Sequence, residues 1–215
     1  MKHSVLVIGL GRFGAAAARE LMRLGHEVLA IDSSEAIVND IAPEVTQAIQ
    51  LDAADEDALR AVGATDFDFA IVAISSNVEA SIFATMALKK LGVVNVIAKA
   101  ATPLHGSILE RVGADRVVYP EREMGLRVAH SFSVRNVADY LDVAPRFGIV
   151  KVRPPQSFIG RTFRELDLAN RLHLTPIALR RGDDVTVNPH RDDAIKAGDE
   201  LILIGMDDRL EQLGE

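Results

Sequence analysis

The sequence predicts an α/β protein, a Rossmann-like doubly wound parallel sheet followed by a small α+β domain. Three observations carry that prediction. Short runs that are apolar on successive residues recur along the first 120 residues, the pattern of strands buried on both faces. The segments 21–25, 59–63, 88–92 and 109–113 each read as a helix end closed by glycine, with a further apolar run close behind. After Pro120 the pattern changes, and the last seventy residues mix short strands, turns and short helices.

Taken in order, residues 4–8 form the first strand and lead into the glycine-rich run 9–14. The helix that follows places Phe13, Ala17, Leu21 and Leu24 on one stripe, which is expected to be its buried side. An alanine run from Ala15 to Ala18 lets this helix sit close to a sheet. Strands at 28–31, 47–51, 69–74, 94–98 and 116–119 bring the count to six. Residues 121–137 read as a long helix with Met124, Val128, Phe132 and Val134 on one side, and 137–141 continue it after a bend. That apolar side belongs to no strand of the preceding sheet and reads as an interface. Residues 144–148, Ala-Pro-Arg-Phe-Gly, read as a linker.

The chain is accordingly divided into domains 1–140 and 141–215. In the second, 149–152 alternates as a strand, and Thr162 with Glu165 has capping-box spacing and opens a helix to residue 172. Residues 175–180 and 184–187 flank Arg181-Gly182-Asp183 as a hairpin. A strand at 200–204 and a helix at 207–213 close the chain. So small a domain has little core of its own, and a dimer would support it.

Composition removes several functions. Of 215 residues 48% are apolar and 26% charged, which excludes disorder of the whole chain. There is no cysteine, hence no disulfide, no thiol nucleophile and no cysteine-ligated metal. A formal charge of −7 argues against nucleic acid or an anionic membrane surface as a partner of the whole protein. No uncharged apolar run is long enough to insert in a bilayer, and the expected location is cytoplasmic. Histidines at 3, 26, 105, 130, 173 and 190 form no close pair, which argues against a zinc centre.

The strongest chemical signal is Gly9-Leu10-Gly11-Arg12-Phe13-Gly14 between a strand and a helix. The first glycine permits the turn, the second lets a phosphate approach the backbone, and the third lets helix and strand pack closely. The helix N-terminus then attracts the phosphates. Asp32 ends the second strand 18 residues after Gly14, where a carboxylate accepts from ribose hydroxyls and disfavours the 2′-phosphate of NADP. Arg12 adds positive charge beside a terminal phosphate, or is a solvent-exposed arginine at a helix start.

Asp52 and Ser75-Ser76-Asn77 end the third and fourth strands and face a ligand crevice, with helix capping the alternative for Ser76 and Asn77. Lys99 breaks an apolar strand at its ligand end. Glu121 begins the long helix as a dipole partner or as a metal ligand. His105, His130 and Lys99 make no acid/base dyad of the kind hydride transfer uses, so an NAD-dependent oxidoreductase is the weaker alternative. Arg161, Arg164, Arg171, Arg180 and Arg181 suffice for an anion site or form a solvated face.

These residues together resemble a known family. The run 7–14, Ile31-Asp32, Asp52-Ala53-Ala54-Asp55, Ala98-Lys99-Ala100 and 113–121 are similar to the RCK regulatory subunits of Ktr and Trk potassium transporters. The first part of the chain resembles the RCK-N domain, and the part from about residue 147, with Ala197-Gly198-Asp199-Glu200-Leu201, the RCK-C domain. Leu51 departs from the pattern, which commonly has a small residue there.

The resemblance implies regulation rather than catalysis. It implies ATP or ADP as ligand, with NAD or NADH the alternative, held by Gly9, Gly11, Arg12, Phe13, Gly14, Asp32, Ser33, Asp52, Ala53, Ile74, Ser75, Lys99 and Glu121. Arg12 then matches a γ-phosphate contact of Ktr-type members, and Glu121 a ligand of Mg2+ or Ca2+. It further implies a homodimer swapped through the helix 121–136, an octameric ring of dimers, and a membrane-embedded potassium-pore subunit as partner, met at the inner face of the membrane. In some members the RCK-C domain binds cyclic di-AMP.

Overall fold

The computed structural model describes residues 2–133 and 137–214. The first unit alternates strand and helix: β1 (Ser4–Ile8), α1 (Arg12–Arg23), β2 (Glu27–Asp32), α2 (Glu35–Ile41), β3 (Gln47–Gln50), α3 (Glu56–Ala61), β4 (Phe69–Val72), α4 (Val78–Leu91), β5 (Asn95–Lys99), α5 (Pro103–Arg111) and β6 (Arg116–Val118). The strands pair in parallel in the order β3-β2-β1-β4-β5-β6. The order reverses between β1 and β4, and that reversal opens a crevice at the carboxyl ends of the strands.

Successive residues of β1 and β2 serve opposite faces. Leu6, Ile8, Leu29 and Ile31 pack with Leu59, Leu88 and Leu109 of α3, α4 and α5. Val5, Val7, Val28 and Ala30 pack with Ala18 and Ile41 of α1 and α2. Each leucine or isoleucine so buried contributes about 2 kcal/mol. The expected end glycines Gly25, Gly63, Gly92 and Gly113 all have φ between 71° and 110°, the left-handed conformation that stops a helix. The outer strand β3 is less buried than its apolar run suggested, because it has a neighbour on one side only.

α1 is rotated relative to the expected stripe. Gly14 and Ala18 are its buried residues, Leu21 and Met22 pack beside them, and Leu24 is exposed. Close contact at Gly14 sets this rotation: a Cβ there would lie 1.9 Å from the Gly9 carbonyl oxygen.

The second unit runs through α6 (Pro120–Ser133), β7 (Val137–Ala144), β8 (Phe147–Val152), α7 (Phe163–Leu166), α8 (Leu168–Arg171), β9 (Thr175–Arg181), β10 (Asp184–Val187), β11 (Glu200–Met206) and α9 (Asp207–Glu211). Its antiparallel sheet has the order β10-β9-β11-β8-β7. Val150, Val152, Leu201 and Leu203 face Phe163, Leu166, Leu168 and Leu210 in a core of its own.

Three expectations are corrected here. Residues 137–141 do not extend the helix; they belong to β7, where Tyr140 is buried against a core that a helix would not reach. Residues 144–148 are no linker but the turn between β7 and β8, with Arg146 at φ 64°. The helix at 162–172 is two, because Asp167 at φ 45° breaks it, while the Thr162/Glu165 capping box forms as expected. The chain forms two compact units, Met1–Pro120 and Glu121–Glu215, while the expected division at 140/141 assigns the helix after β6 to the first domain. Val134 and the rest of 134–136 lie outside the described residues, as do the side chains of His130 and Phe132.

Candidate functional site

Three backbone hydrogen bonds draw the strand ends together around the glycine loop. Gly9 N donates to Ile31 O at 2.8 Å, Ala73 N to Ile8 O at 2.7 Å, and Leu51 N to Asp32 O at 3.0 Å. Between these ends lies a cavity of about 620 Å³. Eight of the expected residues line it: Gly9, Gly11, Asp32, Ser33, Asp52, Ala53, Ile74 and Ser75. Leu51, the residue larger than the family pattern, is part of the same wall.

The three loop glycines have different reasons. Gly9 has φ 88°, and a Cβ on it would lie 2.9 Å from Ile74 Cγ1. Gly14 is pressed against Gly9 O. Gly11 has φ −63° and nothing within 4 Å of the place a Cβ would occupy. The chain itself asks for glycine at the first and third positions but not at the second. Gly11 also begins α1 with no side-chain cap, and the first turn has no acid. Arg12 stands exposed in that turn, a cation at the positive end of a helix dipole, an arrangement that favours an anion nearby.

Asp32 holds this geometry together. One oxygen accepts from Leu10 N at 2.7 Å and the other from Ser34 N at 2.9 Å, tying the glycine loop to the turn after β2. Gln50 Nε2 donates to Ser33 O at 3.0 Å and steadies the same turn. Asp52 Oδ1 accepts from Ala54 N at 3.0 Å. Asn77 Oδ1 accepts from Ala80 N at 3.0 Å and caps α4, the alternative weighed for it from sequence.

The other expected residues stand off the cavity wall. Arg12, Phe13 and Gly14 form the first turn of α1. Lys99 is buried at the end of β5, its Nζ 5.7 Å from the centre of the Phe13 ring. Glu121 is exposed in the first turn of α6, in the second unit. Among the described residues no group of three or more His, Cys, Asp or Glu is placed to hold a metal ion. His105 is buried in α5 with Nδ1 accepting from Ala101 N at 3.2 Å. Burial pushes its pKa down, which keeps the ring neutral and fits a part of the β5–α5 turn rather than of an acid/base pair.

Sequence reasoning missed Ile37, Glu79, Ala80 and Phe83, which also line the cavity. The last three occupy the first two turns of α4, directly after the fourth strand end, so position relative to that strand was the available signal.

Comparison with known proteins agrees with this architecture. A model of the TrkA-N domain matches residues 5–120 and a model of the TrkA-C domain residues 148–215. The chain is 37% identical over 199 residues to Ktr system potassium uptake protein A of Bacillus subtilis, covering 93% of this chain and 90% of that protein. It is 38% identical over 205 residues to Ktr system potassium uptake protein C of the same organism, covering 95% and 93%. Among solved structures, the RCK domain of GsuK superposes with a TM-score of 0.69 at 17% identity, over 100% of this chain and 48% of that one. A GsuK channel bound to NAD gives 0.69 at 18%, over 100% and 40%. This chain spans less than half the length of those GsuK chains, and at such identity the likeness is one of fold. With both domain models matched and two Ktr proteins aligned along nearly its whole length, the chain belongs to the TrkA-N/TrkA-C, or RCK, family of potassium-transport regulatory subunits.

Proposed function

We propose that this protein is a nucleotide-responsive regulatory subunit, binding ATP or ADP in its first unit and acting on a membrane-embedded potassium-pore subunit. The observation that carries the ligand reading is Gly11: open space over a glycine the fold does not need, at an uncapped helix N-terminus on the rim of a 620 Å³ cavity. Asp32 at the same cavity supports a ribose beside the phosphates. Arg12 in the first turn of α1 supports a terminal phosphate, and so ATP and ADP ahead of NAD and NADH.

Regulation then needs no bond-making. ATP and ADP differ in one phosphate, and whichever assembly state holds that phosphate better is populated by ATP. The exposed Met124, Leu126 and Val128 on α6 support pairing of two copies through this helix, and an octameric ring of such dimers is the assembly proposed to meet the pore subunit. Such a protein works in the cytoplasm, at the inner membrane face, through its partner. No helix among the described residues is long and apolar enough to cross a membrane itself. A divalent cation beside Glu121 would need phosphate oxygens or a second copy to complete its shell. Cyclic di-AMP is the ligand to test on the second unit.

Isothermal titration of the full chain with ATP, ADP, NAD and NADH tests the proposal, with copurification of a pore subunit as its second arm. ATP and ADP are expected to bind more tightly than either dinucleotide. No binding of any of the four removes the nucleotide reading. Turnover of NADH with a small carbonyl compound would replace it with oxidoreductase chemistry.

A further inference from the structure

Most of the exposed large apolar side chains lie away from the cavity. Among the described residues two of them line it, Ile37 of α2 and Phe83 of α4, which are 39% and 40% exposed. The cores on the two faces of the sheet are built without either. α4 packs on its face through Ala84, Ala87 and Leu88, and α2 packs on the other face through Ile41. Side chains of this size held in water forgo the gain from burial, and these two do so at the mouth of the same crevice.

Their positions are opposed. β2 and β4 lie on either side of β1, and the helices that follow them cover opposite faces of the sheet. Ile37 therefore borders the crevice from one helix layer and Phe83 from the other. Phe83 is the one aromatic side chain among the described residues of the lining. No lysine, arginine or histidine among them lines it, so phosphates belong at the uncapped N-terminus of α1 instead. The part of a nucleotide that suits two apolar walls is a flat ring with two apolar faces.

We infer that Ile37 and Phe83 are the two sides of a clamp that holds the base of the bound nucleotide, with Phe83 as its stacking surface. This rests on the proposal that the cavity holds a nucleotide. Stacking acts on the faces of the ring and is independent of which polar side chains meet its edge. The clamp therefore sets how much tighter a nucleotide binds than its phosphates alone, and it leaves the choice among bases to other groups.

The test compares ADP with inorganic pyrophosphate on the full chain by isothermal titration. Phe83→Ala is expected to lower ADP affinity about tenfold and Ile37→Ala about threefold, with pyrophosphate affinity held within about twofold in both. Phe83→Trp should keep ADP affinity within about twofold of wild type. The chain has no other tryptophan, so this variant also carries a single indole reporter, expected to be quenched by ADP and not by pyrophosphate. Thermal melting of each variant, expected within about 2 °C of wild type for side chains so exposed, checks that the fold is retained. A gap between ADP and pyrophosphate that survives Phe83→Ala overturns the clamp. Equal losses for both ligands overturn it too, because the ring then shapes the cavity at large. So does Phe83→Trp fluorescence that saturating ADP leaves unchanged. If the wild type binds neither ligand, the site reading itself falls, an outcome distinct from these.

Discussion

In the antiparallel sheet of the second unit, charged side chains meet one another. The Asp199 carboxylate is fully buried, takes two 2.8 Å hydrogen bonds from the Arg181 guanidinium, and accepts a third from Lys196 N. Glu200 is bracketed by Lys151 at 2.9 Å and Arg180 at 3.0 Å, and Asp207 accepts from the Tyr140 hydroxyl at 2.8 Å. At the strand ends of the parallel sheet the polar groups face a cavity instead, and Glu79, the α1 N-terminus and the space above Gly11 are left uncommitted. The second sheet engages these polar groups in its own architecture. The strand ends of the parallel sheet leave several unengaged. The difference teaches that a ligand site is marked less by the presence of charge than by charge and backbone donors the fold does not use.

The sharpest way to break this comparison lies inside the glycine loop. Gly14→Ala drives a methyl into the Gly9 carbonyl and is expected to cost more than about 3 kcal/mol in urea unfolding of the first unit. A loss below about 1 kcal/mol would show that the loop can move and that close packing does not set the rotation of α1.

Next comes Asp199→Asn, expected to cost about 2 kcal/mol, discounted because Arg181 is half in water. The hydrogen bonds from Arg181 hold the Asp199 pKa below its ordinary 3.8. Its contribution is therefore present above about pH 4 and is lost as the pH falls from there toward the lower folded value. Urea midpoints between pH 6 and pH 2.5 should fall more steeply for the wild type than for Asp199→Asn. Parallel curves would show that the pair does not couple to stability.

Gly11→Ala is the counterpart of Gly14→Ala. It should leave stability within about 0.5 kcal/mol. ADP affinity should drop about tenfold, roughly 1.4 kcal/mol, because the methyl occupies the approach of the phosphates. Stability lost with affinity intact would place Gly11 with the structural glycines. Arg12→Ala should lower ATP affinity about fivefold relative to ADP, with direct titration as the readout. Equal losses for both would confine Arg12 to the shared phosphates.

Smallest is Tyr140→Phe, which removes the hydrogen bond to Asp207 and is expected to cost about 1 kcal/mol by thermal unfolding. Burial pushes the Tyr140 hydroxyl well above its ordinary range, so it is protonated at neutral pH and donates to Asp207 there. A neutral substitution would show that packing over Gly148, and not the hydrogen bond, holds β7 in place.

Legibility from sequence followed the range of the interactions involved. The four helix-ending glycines, the capping box at Thr162 and the hairpin around Gly182 were readable because each depends on a few neighbouring residues. The strand character of 137–141 was not, since Tyr140 is held by a core whose other members arrive from later in the chain. Of the site, the residues at strand ends could be read from their position after apolar runs. For Glu79 and Phe83 the fourth strand end gave the neighbourhood but not the residues, because on a helix only its orientation against the sheet decides which side meets the cavity.

Sequence by itself determined the six parallel strands of the first unit, the glycine loop, Asp32 at the end of β2, and the family. Local propensity and periodicity act over one or two turns and need no distant partner. Tertiary structure alone decided which glycine the fold requires and which it leaves open. It also decided that Lys99 lies over Phe13 rather than on the cavity wall, and that the polar groups of the second sheet are consumed in pairs. Each of those outcomes depends on atoms from segments far apart in the chain, and only packing brings them within contact distance.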